Sequence, residues 1–313
     1  MNSHFTSLIP VFFTALLQLF PIYSNADIDA MTQAEDQKKH VSRLAMEIGE
    51  RNVFHPKALH EAEEYIIENW KEQGYEVVKQ EYTLQGIRSA NLEVARIGTG
   101  RPDEIILIGA HYDSVIGSPG ANDNGSGVAV LLEIARQLRP VVTQRSVRFV
   151  AFANEEPPFF FTKEQGSRVY AKAIHKRGDN IRLVISLETM GYFRDEPYTQ
   201  VYPPLFRHFY PDRGNFIAFV SNFRSRKAMH RLAGAFRAES DFPLQHVATF
   251  SMIPGVGWSD HSSFWTHGYR GLMVTDTAFY RYPYYHSHED SAEKLDYVRL
   301  AEVTNGLTRA IIK

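Results

Sequence analysis

The 313-residue sequence predicts a single α/β domain, with a mostly parallel or mixed central sheet and helices on both of its faces. Three observations support this prediction. Continuous apolar runs alternate with amphipathic segments of helical period. A strand, a glycine-rich turn, a helix and a second strand follow one another between residues 104 and 153, which is the pattern of a parallel βαβ unit. No linker divides the chain into two cores.

The first 26 residues resemble a secretory signal peptide. Leu8 to Phe20 is apolar and almost free of polar residues, and Ser24-Asn-Ala26 offers a small-x-small cleavage site. Residues 1–26 contain no Asp or Glu, and they also lack the Lys or Arg of a basic n-region. The apolar stretch is too short to span a bilayer comfortably. We expect a secreted or periplasmic protein with no stable membrane insertion after cleavage; an uncleaved anchor or a disordered tail is the alternative.

Helical periodicity defines most of the remaining elements. Residues 27–37 are polar and are expected to be loose. The segment Pro56–Gln73 places Leu59, Ile66 and Trp70 on one face and stops at Gly74. The predicted helices are Lys38–Ile48, Pro56–Gln73, Ser126–Leu138, Ser167–Lys176, Ser225–Ser240 and Leu295–Ile312.

Strands are predicted from alternation and from short apolar runs. Tyr75–Leu84 and Asn91–Ile97 alternate like half-buried strands, whereas the later runs are continuously apolar. Residues 196–213 are rich in Pro, Tyr and Phe and are predicted to form a loop. The apolar strands are Glu104–Ala110, Val147–Ala153, Leu183–Leu187, Phe216–Val220 and Gly271–Thr275.

Composition limits the classes of function. The formal net charge is −2 and there is no basic run, which argues against a nucleic-acid partner. The chain has no cysteine, so any metal must be held by His and carboxylate side chains. Nothing in the sequence indicates an oligomeric state.

Polar clusters stand where the apolar runs end. The first run ends in His111-Tyr-Asp113 and is followed by the turn Gly120-Ala-Asn-Asp123-Asn-Gly-Ser-Gly127. Imidazole and carboxylate groups suit a hard or borderline cation. A lone His-x-Asp on a strand is usually structural, so this motif gains weight only from its neighbours.

Three more clusters follow along the chain. Glu155-Glu156 comes after the strand Val147–Ala153, and Glu188 after Leu183–Leu187. His286 follows the strand Gly271–Thr275 and an aromatic loop. Ligands of open α/β sheets bind at the carboxyl ends of the strands, so these clusters are expected to meet in one crevice.

In order and approximate spacing, these motifs resemble the co-catalytic di-zinc aminopeptidase family of secreted and periplasmic metallopeptidases. The family pattern is His-x-Asp, Gly-Ala-x-Asp-(Asp/Asn)-x-(Ala/Gly)-Ser-Gly, Glu-Glu, an Asp or Glu, and His. The resemblance extends from about His40 to the C-terminus and assigns a peptidase domain to residues 38–313. It implies the three-layer zinc aminopeptidase fold, related to phosphorylase-hydrolase folds. It also implies two Zn²⁺ per chain, replaceable by Co²⁺ or Mn²⁺, and a peptide substrate with a free N-terminus.

The resemblance also implies the metal ligands. His111 and Glu188 would hold one metal, Glu156 and His286 the other, and Asp123 would bridge both. Asp is commoner than Glu at the position of Glu188, and an acidic residue at a helix start is the alternative interpretation there. His286 is preferred to the neighbouring histidine two residues on because Tyr-His-Ser-x-x-Asp matches the family pattern.

Three further residues receive roles by resemblance. Asp113 would orient His111 through a hydrogen bond, and Glu155 would be the general base for a water activated by the two metals. His261, in Trp258-Ser-Asp-His-Ser-Ser-Phe264, could contact the transition-state oxygen or the surroundings of the bridging Asp. A capping Asp260 with a packed His261 is the alternative.

The sequence therefore predicts an exported metallopeptidase of the aminopeptidase type. A single-zinc acyltransferase like the glutaminyl cyclases, or a carboxypeptidase-like hydrolase, is the first alternative on the same fold. Glutaminyl cyclases lack this form of the glycine-rich turn, which favours two metals and hydrolysis. A non-catalytic binding module is the second alternative, but such relatives usually lose ligands. The aromatic stretches Pro157–Phe161, Tyr202–Tyr210 and Phe279–Tyr285 could form a pocket for a substrate side chain or pack on the core.

Overall fold

Eight strands form one mixed sheet in the computed structural model, which describes residues 25–84 and 86–313. Across the sheet the order is β1-β2-β4-β3-β5-β8-β6-β7. The four central strands β4, β3, β5 and β8 are parallel, β1 and β2 are added antiparallel at one edge, and the parallel pair β6 and β7 runs antiparallel to β8. The predicted mixed sheet is confirmed. The strands are β1 Val78–Leu84, β2 Ile87–Arg96, β3 Arg101–His111, β4 Arg145–Phe152, β5 Ile181–Glu188, β6 Ile217–Asn222, β7 Leu244–Thr249 and β8 Gly271–Thr275.

Helices cover both faces of the sheet, as predicted. Helices α2, α3, α5 and α7 share one hydrophobic cluster with the sheet, and α4 and α6 share a second cluster on the opposite face. A π-helical turn, Arg43–Ile48, continues α1. The helices in the described part of the chain are α1 Asn25–Ser42, α2 Pro56–Glu72, α3 Gly127–Leu138, α4 Gly166–Arg177, α5 Arg226–Glu239, α6 His261–Trp265 and α7 Tyr297–Ile311.

Strand β3 shows why the central strands are continuously apolar in sequence. Ile108 and Ala110 point into the first cluster, whereas Ile105 and Leu107 point into the second. Successive side chains of a strand face opposite sides of the sheet, so a strand covered on both faces must be apolar at nearly every position.

The predicted βαβ unit is confirmed, and its register brings the polar clusters together. Strand β3 pairs in parallel with β4, with His111 opposite Phe152, and with β5, with Gly109 opposite Ser186. The residues that follow Phe152 and Ser186 therefore lie beside His111, at the carboxyl edge of the sheet.

Residues 27–37, expected to be loose, lie within helix α1. Ala34 and Val41 are buried, and the Nε2 of Gln37 donates a hydrogen bond of 2.7 Å to the Oγ1 of Thr304 in α7. Only a narrow stripe of the helix faces the domain, and part of that stripe is polar. The segment therefore lacks the apolar periodicity from which a docked helix is predicted.

The N-terminal signal-peptide prediction concerns residues 1–26, nearly all of which lie outside the described residues. Within residues 25–84 and 86–313, no helix combines the length and the apolar character that crossing a membrane requires.

Two elements were not predicted. Strand β7 lies at the edge of the sheet, and four of its six side chains are only half-buried, so its sequence lacks a clear apolar pattern. Helix α6 has five residues, too few to show a helical period. The loop predicted for residues 196–213 is confirmed, apart from a short 3₁₀ turn at Phe206–His208.

Helix α1 and the following turn allow a matched test of docking. Val41 is fully buried against Ala45, Ala121, Ala129 and Leu295, whereas Met46 is 55% exposed. We expect Val41→Ala to lower the free energy of unfolding by about 1–3 kcal/mol because it leaves a cavity. Met46→Ala removes more atoms but should change it by less than about 0.5 kcal/mol. Urea unfolding of both variants measures this, and equal effects would contradict the docked position of the segment.

Candidate active site

His111 ends strand β3 and is almost completely buried at the carboxyl edge of the sheet. Its Nε2 lies 3.3 Å from Oδ1 of Asp123 and 3.3 Å from Oε2 of Glu188. Its Nδ1 lies 3.5 Å from Oδ1 of Asp113 and 3.2 Å from the Asp113 carbonyl oxygen. A proton on Nδ1 directed at Asp113 leaves the Nε2 lone pair facing the two other carboxylates, which is the arrangement of a metal-binding imidazole.

A second imidazole approaches Asp123 from the other side. The Nε2 of His286 lies 3.0 Å from Oδ2 of Asp123 and 3.4 Å from Oε1 of Glu156. The His286 ring stacks on Tyr285, with the ring centroids 3.9 Å apart. The two oxygens of Asp123 thus face two different imidazoles, each of which also faces a second carboxylate.

The chemistry of these donors fits metal ions. Among the described residues, Oδ1 and Oδ2 of Asp123 and Oε1 of Glu156 are buried and have no hydrogen-bond partner. Unsatisfied buried carboxylate oxygens are costly, and a cation is the partner that would satisfy them. His111, Asp123 and Glu156 offer ligand atoms that lie within 4.8 Å of one another.

The electrostatics of the cluster also favour positive charge. Burial opposes protonation of His286, but its close contacts with Asp123 and Glu156 raise its pKa to about 10. Burial likewise opposes protonation of His111, yet the charge of Glu188 and contacts with Asp113 and Asp123 raise its pKa well above the usual value. A site that raises the pKa of both imidazoles is one in which divalent cations are strongly attracted.

Asp113 connects His111 to the two consecutive glutamates. Its Oδ1 accepts a hydrogen bond of 3.1 Å from the backbone N–H of Glu155, and its Oδ2 accepts one of 3.1 Å from that of Glu156. The same carboxylate lies beside His111. One side chain therefore fixes the relative positions of an imidazole and of both carboxylates that follow β4.

Glu155 is buried beside the cluster without facing either imidazole directly. Its Oε1 accepts a hydrogen bond of 3.4 Å from Nε2 of Gln165. Burial raises the pKa of Glu155 well above its usual value, and the charges of Glu156 and Asp260 raise it further, against the opposing effect of His111. A carboxylate with a raised pKa is suited to take up a proton near neutral pH.

Glu188 is the last residue of strand β5, which excludes the alternative of an acid at a helix start. Its Oε2 accepts a hydrogen bond of 2.8 Å from Oγ of Ser259, and this hydroxyl lies 2.8 Å from Oγ of Ser186. The side chain is thereby aimed at His111. Burial raises the pKa of Glu188, while the charge of His111 opposes this shift.

The turn that carries Asp123 is held by a second acid, Asp290. The Asp290 carboxylate accepts hydrogen bonds from the backbone N–H groups of Asn122 and Asp123 at 2.8 and 3.1 Å, and Tyr282 donates its hydroxyl at 2.7 Å. The Oδ1 of Asn122 accepts the N–H of Gly191, just after β5, at 2.8 Å. The turn is therefore tied to two other segments of the site.

Arg51 also holds this turn, through hydrogen bonds to its backbone carbonyl oxygens. The sequence alone assigns Arg51 no role. Its fully buried guanidinium donates to backbone carbonyls on three segments of the chain. Gly120 is one of these and has a φ of 65°, and a Cβ there would lie 2.6 Å from the Asp123 carbonyl oxygen. A single Arg between polar neighbours carries no pattern that could have predicted this. The accepting carbonyl oxygens are those of Leu44, Gly49, Tyr112, Pro119 and Gly120.

Of the two alternatives for His261, the structure shows the packed side chain rather than one that faces the proposed ligands. Its ring is completely buried, its Nε2 donates to the carbonyl oxygen of Val256 at 2.9 Å, and it packs edge-on against Trp265. Its neighbour Asp260 lies within the electrostatic influence of the cluster instead: burial raises its pKa to about 7, and the charges of His111 and Glu188 act on it in opposite directions. Adjacent residues at a helix start point in different directions, so the motif located the segment but not the side chain.

His288 was the alternative to His286 as a proposed metal ligand, and the two histidines differ in their contacts. The structure brings His286 to Asp123 and Glu156, and within residues 86–313 it records no such contact for His288. The other predicted site residues, His111, Asp113, Asp123, Glu155, Glu156 and Glu188, meet in one crevice.

Comparison with known proteins connects this geometry to a family. The model described as peptidase family M28 matches residues 93–311. The uncharacterized protein YfbL of Escherichia coli is 38% identical over an alignment of 282 residues that covers 87% of this chain and 86% of YfbL. Aminopeptidase YwaD of Bacillus subtilis is 40% identical over an alignment of 93 residues that covers 28% of this chain but only 20% of that protein.

Solved structures share the fold. BSAP, a zinc aminopeptidase from Bacillus subtilis, superposes with a TM-score of 0.72 at 17% identity, covering 89% of this chain and 94% of that chain. A glutaminyl cyclase from Bacteroides thetaiotaomicron gives a TM-score of 0.68 at 17% identity, covering 90% and 97%. At these identities the likeness concerns the fold alone.

The contacts of Asp113 generate a prediction about metal affinity. Asp113→Asn keeps the shape but removes the charge and one of the two acceptors used by the glutamate backbone. We expect the affinity for Zn²⁺ to fall by roughly 10–100-fold. Competition with a chromophoric chelator measures this. Asp103→Asn, the same change at an exposed position of β3, is the matched control and should leave the affinity unchanged.

Proposed function

Because this chain belongs to peptidase family M28, we propose that it is a zinc-dependent aminopeptidase that hydrolyses the N-terminal bond of peptides. The observation that carries the proposal is the position of Asp123. Its two oxygens face His111 on one side and His286 on the other. Glu188 lies beside His111 and Glu156 beside His286, so the site has two halves, each with one imidazole and one glutamate. Such a symmetric set of donors suits two cations that share one carboxylate.

In this proposal each half holds one ion. His111 and Glu188 would hold the first, Glu156 and His286 would hold the second, and Asp123 would be shared between them. Two divalent ions held in this way would polarise a scissile carbonyl and lower the pKa of an attacking water. Zinc is favoured by the mixed imidazole and carboxylate donors, and Co²⁺ or Mn²⁺ could replace it.

Glu155 is the proposed general base. It takes a proton from the water whose oxygen attacks the carbonyl carbon, and it delivers that proton to the nitrogen as the C–N bond breaks. The products are a carboxylic acid and a free amine, so Glu155 returns to its starting state. Its raised pKa and its hydrogen bond with Gln165 support this assignment.

The likeness to proteins named as aminopeptidases favours a substrate with a free amine. The charges of the buried Asp123, Glu155, Glu156 and Glu188 would be offset by two divalent ions, so they do not by themselves select a cationic amine. A carboxypeptidase-like substrate would bring one more carboxylate. The buried guanidinium of Arg51 donates to backbone carbonyls and therefore does not offer that carboxylate a partner.

We also propose that the protein is exported and that residues 1–26 are its signal peptide. The support is the uncharged apolar N-terminus with its small-x-small site, together with the absence of cysteine. Residues 38–313 then form the peptidase domain, and helix α1 precedes the part that matches the family.

Metal content and substrate choice test the proposal together. We expect two metal ions per chain, release of p-nitroaniline from aminoacyl anilides with a free amine, and no release from their N-acetylated forms. Chelation should abolish the activity and Zn²⁺ should restore it. One ion per chain, no anilide hydrolysis and cyclisation of an N-terminal glutaminyl peptide would instead establish a glutaminyl cyclase.

Substitution of Glu155 tests the base. Glu155→Gln should lower kcat by roughly 10²–10⁴-fold because no carboxylate takes up the proton. Its metal content should stay at the wild-type value, since Glu155 is not a proposed ligand. Glu68→Gln, at an exposed position of α2, is the control and should retain full activity. Full turnover by a metal-loaded Glu155→Gln variant would rule out the assignment.

A further inference from the structure

An apolar channel leads away from the ligand cluster along one face of the sheet. It starts beside Glu188 and Tyr285 and reaches Gln245 and His246 on the edge strand β7. Its walls are almost entirely apolar or aromatic. The part nearest Glu188 would receive the side chain of an N-terminal residue under the proposed function, but the channel continues well beyond that point.

The floor of the channel consists of alternate residues from three neighbouring strands. In the sheet register, Val220 of β6 lies between Met273 of β8 and Val247 of β7. Two residues earlier on the same face, Ala218 lies between Thr275 and Gln245. Phe219, which points the other way, packs against Phe236 of α5. The floor is therefore the face opposite α5, and its residues are Met273, Thr275, Ala218, Val220, Gln245 and Val247.

Aromatic loops form the roof. Tyr210 stacks between Tyr202 and Phe206, with ring centroids 5.7 and 6.1 Å apart. The hydroxyl of Tyr210 donates to the carbonyl oxygen of His246 at 3.1 Å, and that of Tyr202 donates to the carbonyl oxygen of Pro211 at 2.7 Å. The first bond attaches the roof to strand β7 and the second lies within the loop, so the channel is already formed without a ligand.

A buried Arg anchors the other end of the roof. The Nε of Arg281 donates to Oε1 of Gln200 at 2.8 Å, and its Nη1 donates to the carbonyl oxygen of Phe216 at 2.8 Å. The backbone N–H of Val201 donates to the carbonyl oxygen of Tyr280 at 2.9 Å. The loop of residues 196–213 is therefore joined to the segment that carries Phe279 and Tyr285.

The sheet sets the length of the channel. From β5 to β7 it crosses β8 and β6, which is three strand spacings of about 4.8 Å, or about 14 Å in total. A carbon chain advances roughly 1.25 Å per bond, so about eleven bonds cover this distance. Leucine and phenylalanine side chains occupy only the first part of such a path.

The interior of the channel has room for roughly seven to ten water molecules. An extended peptide would place its N–H and C=O groups against apolar walls, at a cost for each unpaired group. An alkyl chain has no such groups. The length of the channel and the apolar character of its walls together point to one kind of occupant.

We propose that the preferred substrates are amides whose acyl half carries an unbranched apolar chain of roughly ten carbon atoms. This inference rests on the proposed function, because the reacting carbonyl must lie at the ligand cluster for the chain to enter beside Glu188. The acyl half is either a 2-aminoacyl group with a long alkyl side chain or a simple fatty acyl group. Both share the same long chain.

A chain-length series tests this proposal with the wild-type protein. The substrates are p-nitroanilides of alanine, norleucine, 2-aminooctanoate, 2-aminodecanoate and 2-aminododecanoate. We expect kcat/KM to rise roughly threefold to fourfold with each added methylene. Decanoyl p-nitroanilide, which lacks the amine, distinguishes the two sources: hydrolysis of it identifies a fatty acyl amide, and none identifies a 2-aminoacyl amide. A kcat/KM that is flat or falls beyond norleucine, with alanyl and norleucyl anilides hydrolysed, would overturn the proposal and leave the aminopeptidase assignment intact.

Filling the channel gives an independent test. Val220→Trp should lower the ratio of kcat/KM for the 2-aminododecanoyl anilide to that for the norleucyl anilide at least tenfold. Val298→Trp, at a position of α7 that is 57% exposed, is the control and should leave the ratio unchanged. If Val220→Trp does not fold, Phe206→Ala opens the roof and should reduce the gain per methylene. An unchanged ratio in every folded channel variant would contradict the proposal.

Direct binding separates failure of the channel from failure of the enzyme assignment. Calorimetry compares hexylamine with dodecylamine, below their micellar concentrations, on the purified full chain. The longer amine should bind more than tenfold tighter. If no anilide is hydrolysed but this difference is found, the aminopeptidase proposal fails together with the substrate preference that rests on it, and only the binding of an unbranched alkyl chain by the channel is supported. Equal affinities of the two amines would overturn the channel proposal.

Discussion

Several buried carboxylates lie close together at the carboxyl edge of the sheet, and the rest of the site is organised to hold them there. Asp123, Glu156 and Glu188 face two imidazoles across distances of 3.0–3.4 Å, and several of their oxygens have no hydrogen-bond partner among the described residues. Such groups repel one another and are costly to bury. Their positions must therefore be imposed by groups around them.

The positions of these carboxylates are fixed by hydrogen bonds between the backbone that carries them and charged side chains that are not proposed ligands. Asp113 accepts the N–H groups of both glutamates after β4, and Asp290 accepts those of the turn with Asp123. Arg51 holds the other side of that turn through its carbonyls. Each device uses one charged side chain to position two or more backbone groups. The positions of the proposed ligands are thus set by the protein itself, which would lower the reorganisation needed to bind a cation.

The meeting of the proposed ligands in one crevice was predictable because its signals are local. Strand ends, a glycine-rich turn and acidic pairs all lie within short stretches, and parallel strands bring their carboxyl ends to one edge. Arg51 was not predictable, because its partners lie between 2 and 69 residues away and are backbone atoms with no sequence signature. The same holds for helix α1, whose docking depends on a polar stripe, and for β7, whose half-buried side chains give no pattern. The sequence left the position of His261 open between two alternatives, because the motif marks a segment, whereas the direction of each side chain depends on where helix α6 begins.

The distance along the chain between Asp290 and the turn that it holds, 167 residues to Asp123, has a consequence for biosynthesis. The turn leaves the ribosome long before its partner is made, and closing so long a loop is slow. The turn therefore cannot take its final position on a nascent chain that has not yet reached Asp290. Under the proposed function, the ions would be bound only after these two segments have met, in the compartment where folding finishes.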